Sequence, residues 1–381
     1  MQALDRAQGL LASWQQEVLN ELPADVAVFD AHVHLGDDID GMRGRPDELL
    51  GMMDDYRVDR AFMFCLDEPD RHPSFRAPND RTLAYARESN GRLIPFVRLD
   101  LNEDPVAEAN RVIDAGARGI KLHPRAQKIS LQDERLTPVF QLACDRNVPI
   151  LIHGGRGLPP IADGLARLVE RNPDAALFIA HAGIADMAHL TEAMAGRPNV
   201  FFDTSTWSAV DLLDLYRRVP PEQVVYASDF PYGQQPGSLF IALRSAKAAG
   251  LAESQITAML GGTANALADG RDLPVPTRPC GEATLSQPLQ LARIHQYLSM
   301  AMPLLWMRQQ DTIGVLGLAL NTCAERDGQP DTADRISELL RTATELWRKL
   351  PELEDESDRF RVIRTAQRLI HIADVEAVTS A

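Results

Sequence analysis

From residue 26 onward the chain alternates between two hydrophobic patterns. Short apolar runs rich in Val, Ile and Phe occupy residues 26–32, 60–66, 93–99, 119–123, 149–153, 177–181, 200–204 and 224–229. Between them lie more polar stretches, for example 46–56, 79–88, 104–115, 136–147, 161–171 and 209–218. Their apolar positions recur at three- and four-residue steps, the period of a helix with one covered face. Many of the short runs are apolar at consecutive positions. That suits strands covered by helices on both faces, and strand–helix alternation at this spacing predicts parallel pairing. Eight such units predict a distorted (β/α)8 TIM barrel over residues 26–272 better than an open doubly wound sheet. No glycine-rich phosphate loop follows any run, which also weighs against the open sheet.

The two ends of the chain read differently. Residues 1–25 hold an amphipathic helix marked by Leu4, Leu10, Leu11, Trp14 and Val18 and stopped at Pro23, expected to pack on the outside of the barrel. Near Leu273-Pro-Val-Pro-Thr-Arg-Pro-Cys the texture becomes that of a linker. Beyond it only helical patterns occur, at 285–307, 312–326, 332–350 and 357–378, so residues 273–381 form an all-helical extension. Such an extension is expected to cover the barrel or to build a homodimer interface.

Composition narrows the function classes. The formal net charge of −15 and the lack of a basic cluster disfavour nucleic acid as a partner. No apolar run approaches the ~18 residues of a membrane span, and the first residues lack the basic start and apolar core of a signal peptide. A cytoplasmic protein without a membrane partner is expected. Cys65, Cys144, Cys280 and Cys323 form no Cys-x-x-Cys pair and read as reduced thiols.

The chemistry collects where the runs end. Alternation along a strand puts His32 and His34 on one face with Asp30 behind them, and Gly36 leaves room above this pair for an ion. The fourth run ends in Lys121 and His123, the fifth in His153, the sixth in His181 and the eighth in Asp229. Five of the nine histidines of the chain thus fall at expected strand ends, the face of a (β/α)8 barrel that carries active sites. Arg98, Arg125 and Arg156 follow such ends and offer guanidinium forks for a substrate carboxylate. The loop 67–79, with His72, Phe75 and Arg76, is long enough for a wall of the site, and Asp203, Thr204 and Trp207 are placed to shape the pocket. His295 and His371 stand alone on helices and read as ordinary surface or core residues.

In this order and spacing, His32-x-His34, Lys121-Leu-His-Pro, Ile152-His-Gly-Gly, Ala180-His-Ala-Gly and Ser228-Asp-Phe-Pro resemble the amidohydrolase superfamily. The likeness is to its amidohydrolase-related (amidohydrolase 2) branch of metal-dependent hydrolases and decarboxylases. It spans about residues 26–270, including 262–266, a segment similar to the helix start that closes such barrels. The resemblance implies that His32, His34 and His153 ligate one divalent metal, zinc first and manganese or iron next, with Asp229 a further ligand or the base. His181 would face the substrate and stabilise an oxyanion. A carboxylated Lys121 would bridge a second ion in some branches. His123-Pro124 resembles the mononuclear branch instead, where Lys121 is an inner cation and His123 contacts the substrate. The activity implied is metal-activated water acting on an amide, ester or lactone of a small substrate, for which the arginines allow an acidic group. Non-oxidative decarboxylation of an unsaturated or aromatic acid is the alternative, and a catalytically inactive scaffold with a binding role is the third reading.

Overall fold

All eight apolar runs become parallel strands. They are β1 Val28–Asp37, β2 Val58–Cys65, β3 Leu93–Pro95 resuming as Val97–Arg98, β4 Ile120–Leu122, β5 Ile150–Ile152, β6 Leu177–Ile179, β7 Val200–Asp203 and β8 Val224–Val225. This computed structural model describes residues 2–380 except 207, 234, 282–286, 308, 310–311 and 326–328. Consecutive strands pair in parallel, and β3 is broken at Phe96, whose N–H bonds Met63 O at 2.8 Å. The segment after β8 then returns to β1: Ala31 N–H bonds Tyr226 O at 2.9 Å, Asp229 N–H bonds His32 O at 2.9 Å, and His34 N–H bonds Phe230 O at 2.7 Å. These bonds complete a distorted barrel, although β8 is only two residues long. One further pairing, Arg43–Gly44 antiparallel to Gly36 and Asp37, has no counterpart in the apolar pattern.

Rings fill the interior. Phe62 meets Phe29, Phe96 and Phe178 at centroid distances of 4.5, 4.6 and 5.8 Å, with Phe201 beyond Phe178 at 5.3 Å. Rings at these separations add edge-to-face attraction to their burial. The outer faces of the strands carry Val, Ile and Leu toward the helices, the arrangement parallel strands require.

β1 departs from simple alternation. Its register against β2 breaks between Asp30 and Val33. Phe29 and Ala31 belong to the ring-filled interior, while Val33 and Leu35 pack outward, so the irregularity changes the phase and turns His32 and His34 inward. Asp30 therefore does not stand behind them on one face. Its Oδ1 accepts from the N–H groups of His32 and Ser228 at 3.2 and 2.9 Å, tying the two site-bearing segments together. The strand also runs past the histidines to Asp37. Gly36 has φ +111, and a Cβ there would come within 2.5 Å of Glu68 Oε1; the space it leaves is taken by a carboxylate, not kept for an ion.

The N-terminal helix Gln2–Glu21 packs between the helix Gln235–Ala248 and the extension. Trp14 meets Phe240 edge-on at 5.2 Å, Arg244 pairs with Glu21 at 2.6 Å, and Arg335 of the extension pairs with Glu17 at 2.8 Å. Residues 273–280 have no regular structure. The extension comprises Leu289–Trp306, Thr312–Cys323, Pro330–Lys349 and Glu356–Thr379. The second of these stops short of the expected end at 326, a residue outside those described. The last helix buries Ala366, Leu369, Ile370 and Ala373 against its neighbours, among them Gln235–Ala248. No described helix is long and apolar enough to cross a membrane.

His295 joins the first and last extension helices through a 2.7 Å contact with Asp374. The hydrogen bond to that carboxylate raises the imidazole pKa. A raised histidine contributes stability that is complete below its unfolded value of about 6.5 and is lost as pH rises through the folded value. The Tm difference between wild type and His295→Ala is therefore expected to shrink between mildly acidic and alkaline buffers.

Candidate metal and catalytic site

His32 and His34 project from β1 into the carboxyl end of the barrel, and Asp229 reaches the same point from the segment that closes it. His32 Nε2 and His34 Nε2 are 3.1 Å apart, and Asp229 Oδ1 lies 3.3 Å from each. These three residues offer ligand atoms within 4.8 Å of one another. The side-chain network fixes the protons. Asp203 Oδ2 accepts from His32 Nδ1 at 2.8 Å, which leaves His32 Nε2 as a bare lone pair. Burial, followed by the nearby charge of Lys121, holds the His32 pKa well below its usual value, and burial does the same for His34. Two neutral imidazoles and a carboxylate thus converge, an electron-rich set suited to a divalent ion, and the carboxylate behind His32 is the partner that orients a ligating imidazole.

Asp203 does more. Fully buried, its Oδ1 accepts the backbone N–H of His181 at 2.7 Å, and the N–H and hydroxyl of Ser205 at 3.0 and 2.6 Å. His181 Nδ1 lies 3.0 Å from Ser205 O and donates to it; His181 Nε2 then accepts from His153 Nδ1 at 3.0 Å. The chain of bonds ends at His153 Nε2, which is buried and without a partner. His153, expected as a ligand, is not one of the three residues whose ligand atoms lie within 4.8 Å of one another; it lines the same cleft, and His123 stacks on it at 4.0 Å with 15° between the rings.

Two site residues sit in the left-handed region, His181 at φ 60 and Asp229 at φ 58. Non-glycine residues there cost about 1–3 kcal/mol, a strain that clusters at functional positions. Burial raises the Asp229 pKa against the pull of His181 and Lys121. Lys121 is fully buried, with Nζ 3.4 Å from His32 Nε2 and 4.6 Å from the centre of the Phe64 ring. Burial lowers its pKa although Asp229 and Asp203 oppose the change.

The cleft above these groups has a volume of about 500 Å³ and is lined by, among others, Arg98, His123, Arg125, Arg156 and Tyr232. The three arginines differ. Arg98 is 2 % exposed, donates to Cys65 O at 3.1 Å and lies over the Phe75 ring, so much of it supports the wall. Arg125 and Arg156 are exposed at the mouth. Of the expected wall 67–79, Asp67 reaches the cleft; the helix Arg76–Glu88 begins earlier than its apolar period indicates, and exposed His72 turns away to Glu103 at 3.3 Å. Trp207 lies outside the described residues. Tyr232 had no expected role, yet its ring meets His34 edge-on at 5.9 Å and its hydroxyl donates to Asp38 at 3.0 Å.

A (β/α)8 barrel that gathers two histidines and an aspartate at the carboxyl ends of its strands is the framework of a metal-dependent barrel enzyme. The chain belongs to the amidohydrolase family, whose amidohydrolase 2 model matches residues 29–267. This family generally uses a divalent metal. No curated protein matches the chain. Among solved structures it is similar to a putative 2-pyrone-4,6-dicarboxylic acid hydrolase from Pseudomonas putida, at 19% identity and a TM-score of 0.50, covering 64% of this chain and 98% of that one. It is also similar to 5-carboxyvanillate decarboxylase from Sphingomonas paucimobilis, at 16% identity and a TM-score of 0.49, covering 64% and 99%. The first likeness agrees with the barrel described above.

Two outcomes are expected. Protein purified without chelator should carry about one divalent ion per chain by plasma mass spectrometry, and His32→Ala with His34→Ala should lose it. A Cβ at Gly155 would come within 2.7 Å of His181 Cδ2 and 2.9 Å of His153 Cε1. Gly155→Ala should therefore weaken metal affinity by about 10- to 100-fold, the range for disturbed ligand support, in a metal titration at unchanged circular dichroism.

Proposed function

We propose that this protein is a metal-dependent hydrolase acting on an amide, ester or lactone of a small acidic substrate. The observation that carries the reading is the convergence of bare His32 Nε2, His34 and Asp229 beneath a cleft with two exposed guanidiniums at its mouth. His32, His34 and Asp229 would hold one divalent ion, with His153 adding its unpartnered Nε2. Such an ion acidifies water and polarises a carbonyl. A single ion is favoured because one group of ligand atoms converges in the cleft, from His32, His34 and Asp229, with the Lys121 amine packed against the face of Phe64.

The remaining work falls to the protein. Arg125 and Arg156 bind the substrate carboxylate and orient the scissile group, with Arg98 and His123 deeper in the cleft. Asp229, raised toward neutrality by burial, accepts a proton from the attacking water and returns it to the leaving atom. His181 accepts at Nε2 from His153 Nδ1, which keeps the His153 proton on Nδ1 and leaves His153 Nε2 unprotonated.

Non-oxidative decarboxylation of an unsaturated or aromatic acid is the second reading, favoured by the same raised pKa. A protonated Asp229 delivers its proton to carbon as the carbon–carbon bond breaks and carbon dioxide leaves. Turnover assays on lactones, amides and aromatic acids separate the two: a ring-opened product heavier by one water, or two fragments whose masses sum to substrate plus one water, supports hydrolysis, and carbon dioxide without added water supports the second reading. With either substrate, Asp229→Asn should lower kcat by about 10²- to 10⁴-fold. Arg125→Met with Arg156→Met should chiefly raise KM.

A further inference from the structure

A second cavity, of about 120 Å³, lies between the N-terminal helix, the loop after Asp229 and the last helix. One side is apolar and aromatic, with Leu11, Trp14, Val18 and Phe240; the other carries Arg364 and Arg368. Its volume is close to the ~150 Å³ of a dry cavity that takes benzene, enough for one ring. Tyr232 lines both this cavity and the catalytic cleft, so the two spaces share a wall.

On the cationic side Arg364 is poorly compensated. Arg364 donates to Pro231 O at 3.3 Å and lies over the Phe360 ring at 5.2 Å. Its Nε is buried without a hydrogen-bond partner. Arg364 and Arg368 repel one another, and the carboxylate that acts favourably on both is that of Glu48, an exposed residue. His371, the other titratable group on the last helix here, is kept neutral by burial. A buried guanidinium donor left unmade is costly, and an anion entering from solvent would satisfy it.

We propose that this cavity binds a small monoanion with an apolar body, the size of a one-ring carboxylate, its carboxylate held by Arg364 and its ring by Trp14 and Phe240. The test is calorimetric titration of the full-length protein with benzoate and with benzyl alcohol, which keeps the ring and lacks the charge. Saturable benzoate binding should be at least about tenfold tighter than that of benzyl alcohol. It should weaken at least about tenfold in Arg364→Met, which keeps the apolar stem, and in Leu11→Trp, which fills the cavity and leaves the guanidinium in place. Arg125→Met with Arg156→Met should leave the component that Arg364→Met and Leu11→Trp weaken unchanged. Absence of binding to the wild type, equal binding of the two probes, or loss with the cleft arginines while Arg364→Met and Leu11→Trp still bind would each overturn the proposal. Failure of the catalytic reading would leave these outcomes untouched, because no arm depends on turnover.

Discussion

The carboxylate of Asp203 is the contact on which the site depends. Buried and fully bonded, it draws one oxygen to the His32 imidazole from β1 and the other to the backbone of His181 and to Ser205. One side chain thereby sets which nitrogen of His32 faces the centre and where the turn after β6 begins. A buried carboxylate with four donors has its acceptor capacity met, whereas removing one donor would leave a buried oxygen short of a partner. Asp30 does the corresponding work for the backbone, joining His32 to Ser228.

The barrel was legible in the sequence because its signal is repeated: each of the eight apolar runs forms a strand, and each strand needs apolar residues on both faces. Histidines near strand ends were legible for a related reason, since an imidazole in such a run interrupts a burial pattern that otherwise admits only apolar side chains. What escaped is what depends on distant pairs. His32 and Asp203 are 171 residues apart, and no local pattern couples them, so Asp203 read as a pocket residue and not as the support of two others. The phase change in β1 is invisible in the same way, because a bulge is a matter of register against β2 rather than of residue type. Tyr232 follows the last run in a loop whose composition gives no reason to prefer it. Arg98 read as a fork for a substrate carboxylate; its burial and its contacts with Cys65 O and the Phe75 ring could not be read locally, since those neighbours come from another part of the chain.

The ends of the chain are tied to the barrel through one another. Glu17 and Glu21 of the N-terminal helix meet Arg244 from the barrel side, and Glu17 also meets Arg335 from the extension. Partly exposed pairs of this kind contribute little individually. Their arrangement around Trp14, which packs on Phe240 and lies under the Arg335 guanidinium at 4.4 Å, makes the first helix a spacer between two larger bodies. The last helix extends the same contact to the loop carrying Asp229, through Arg364 and the carbonyl of Pro231.

The closure of the ring has a corollary for the site. The bonds that join residues 226–230 to β1 span nearly the whole barrel sequence. Asp229 and His32 are themselves members of that seam. Contacts of this range carry a large loop-closure cost, so the juxtaposition of His32, His34 and Asp229 is tied to the closing of the ring and not to the formation of any one strand.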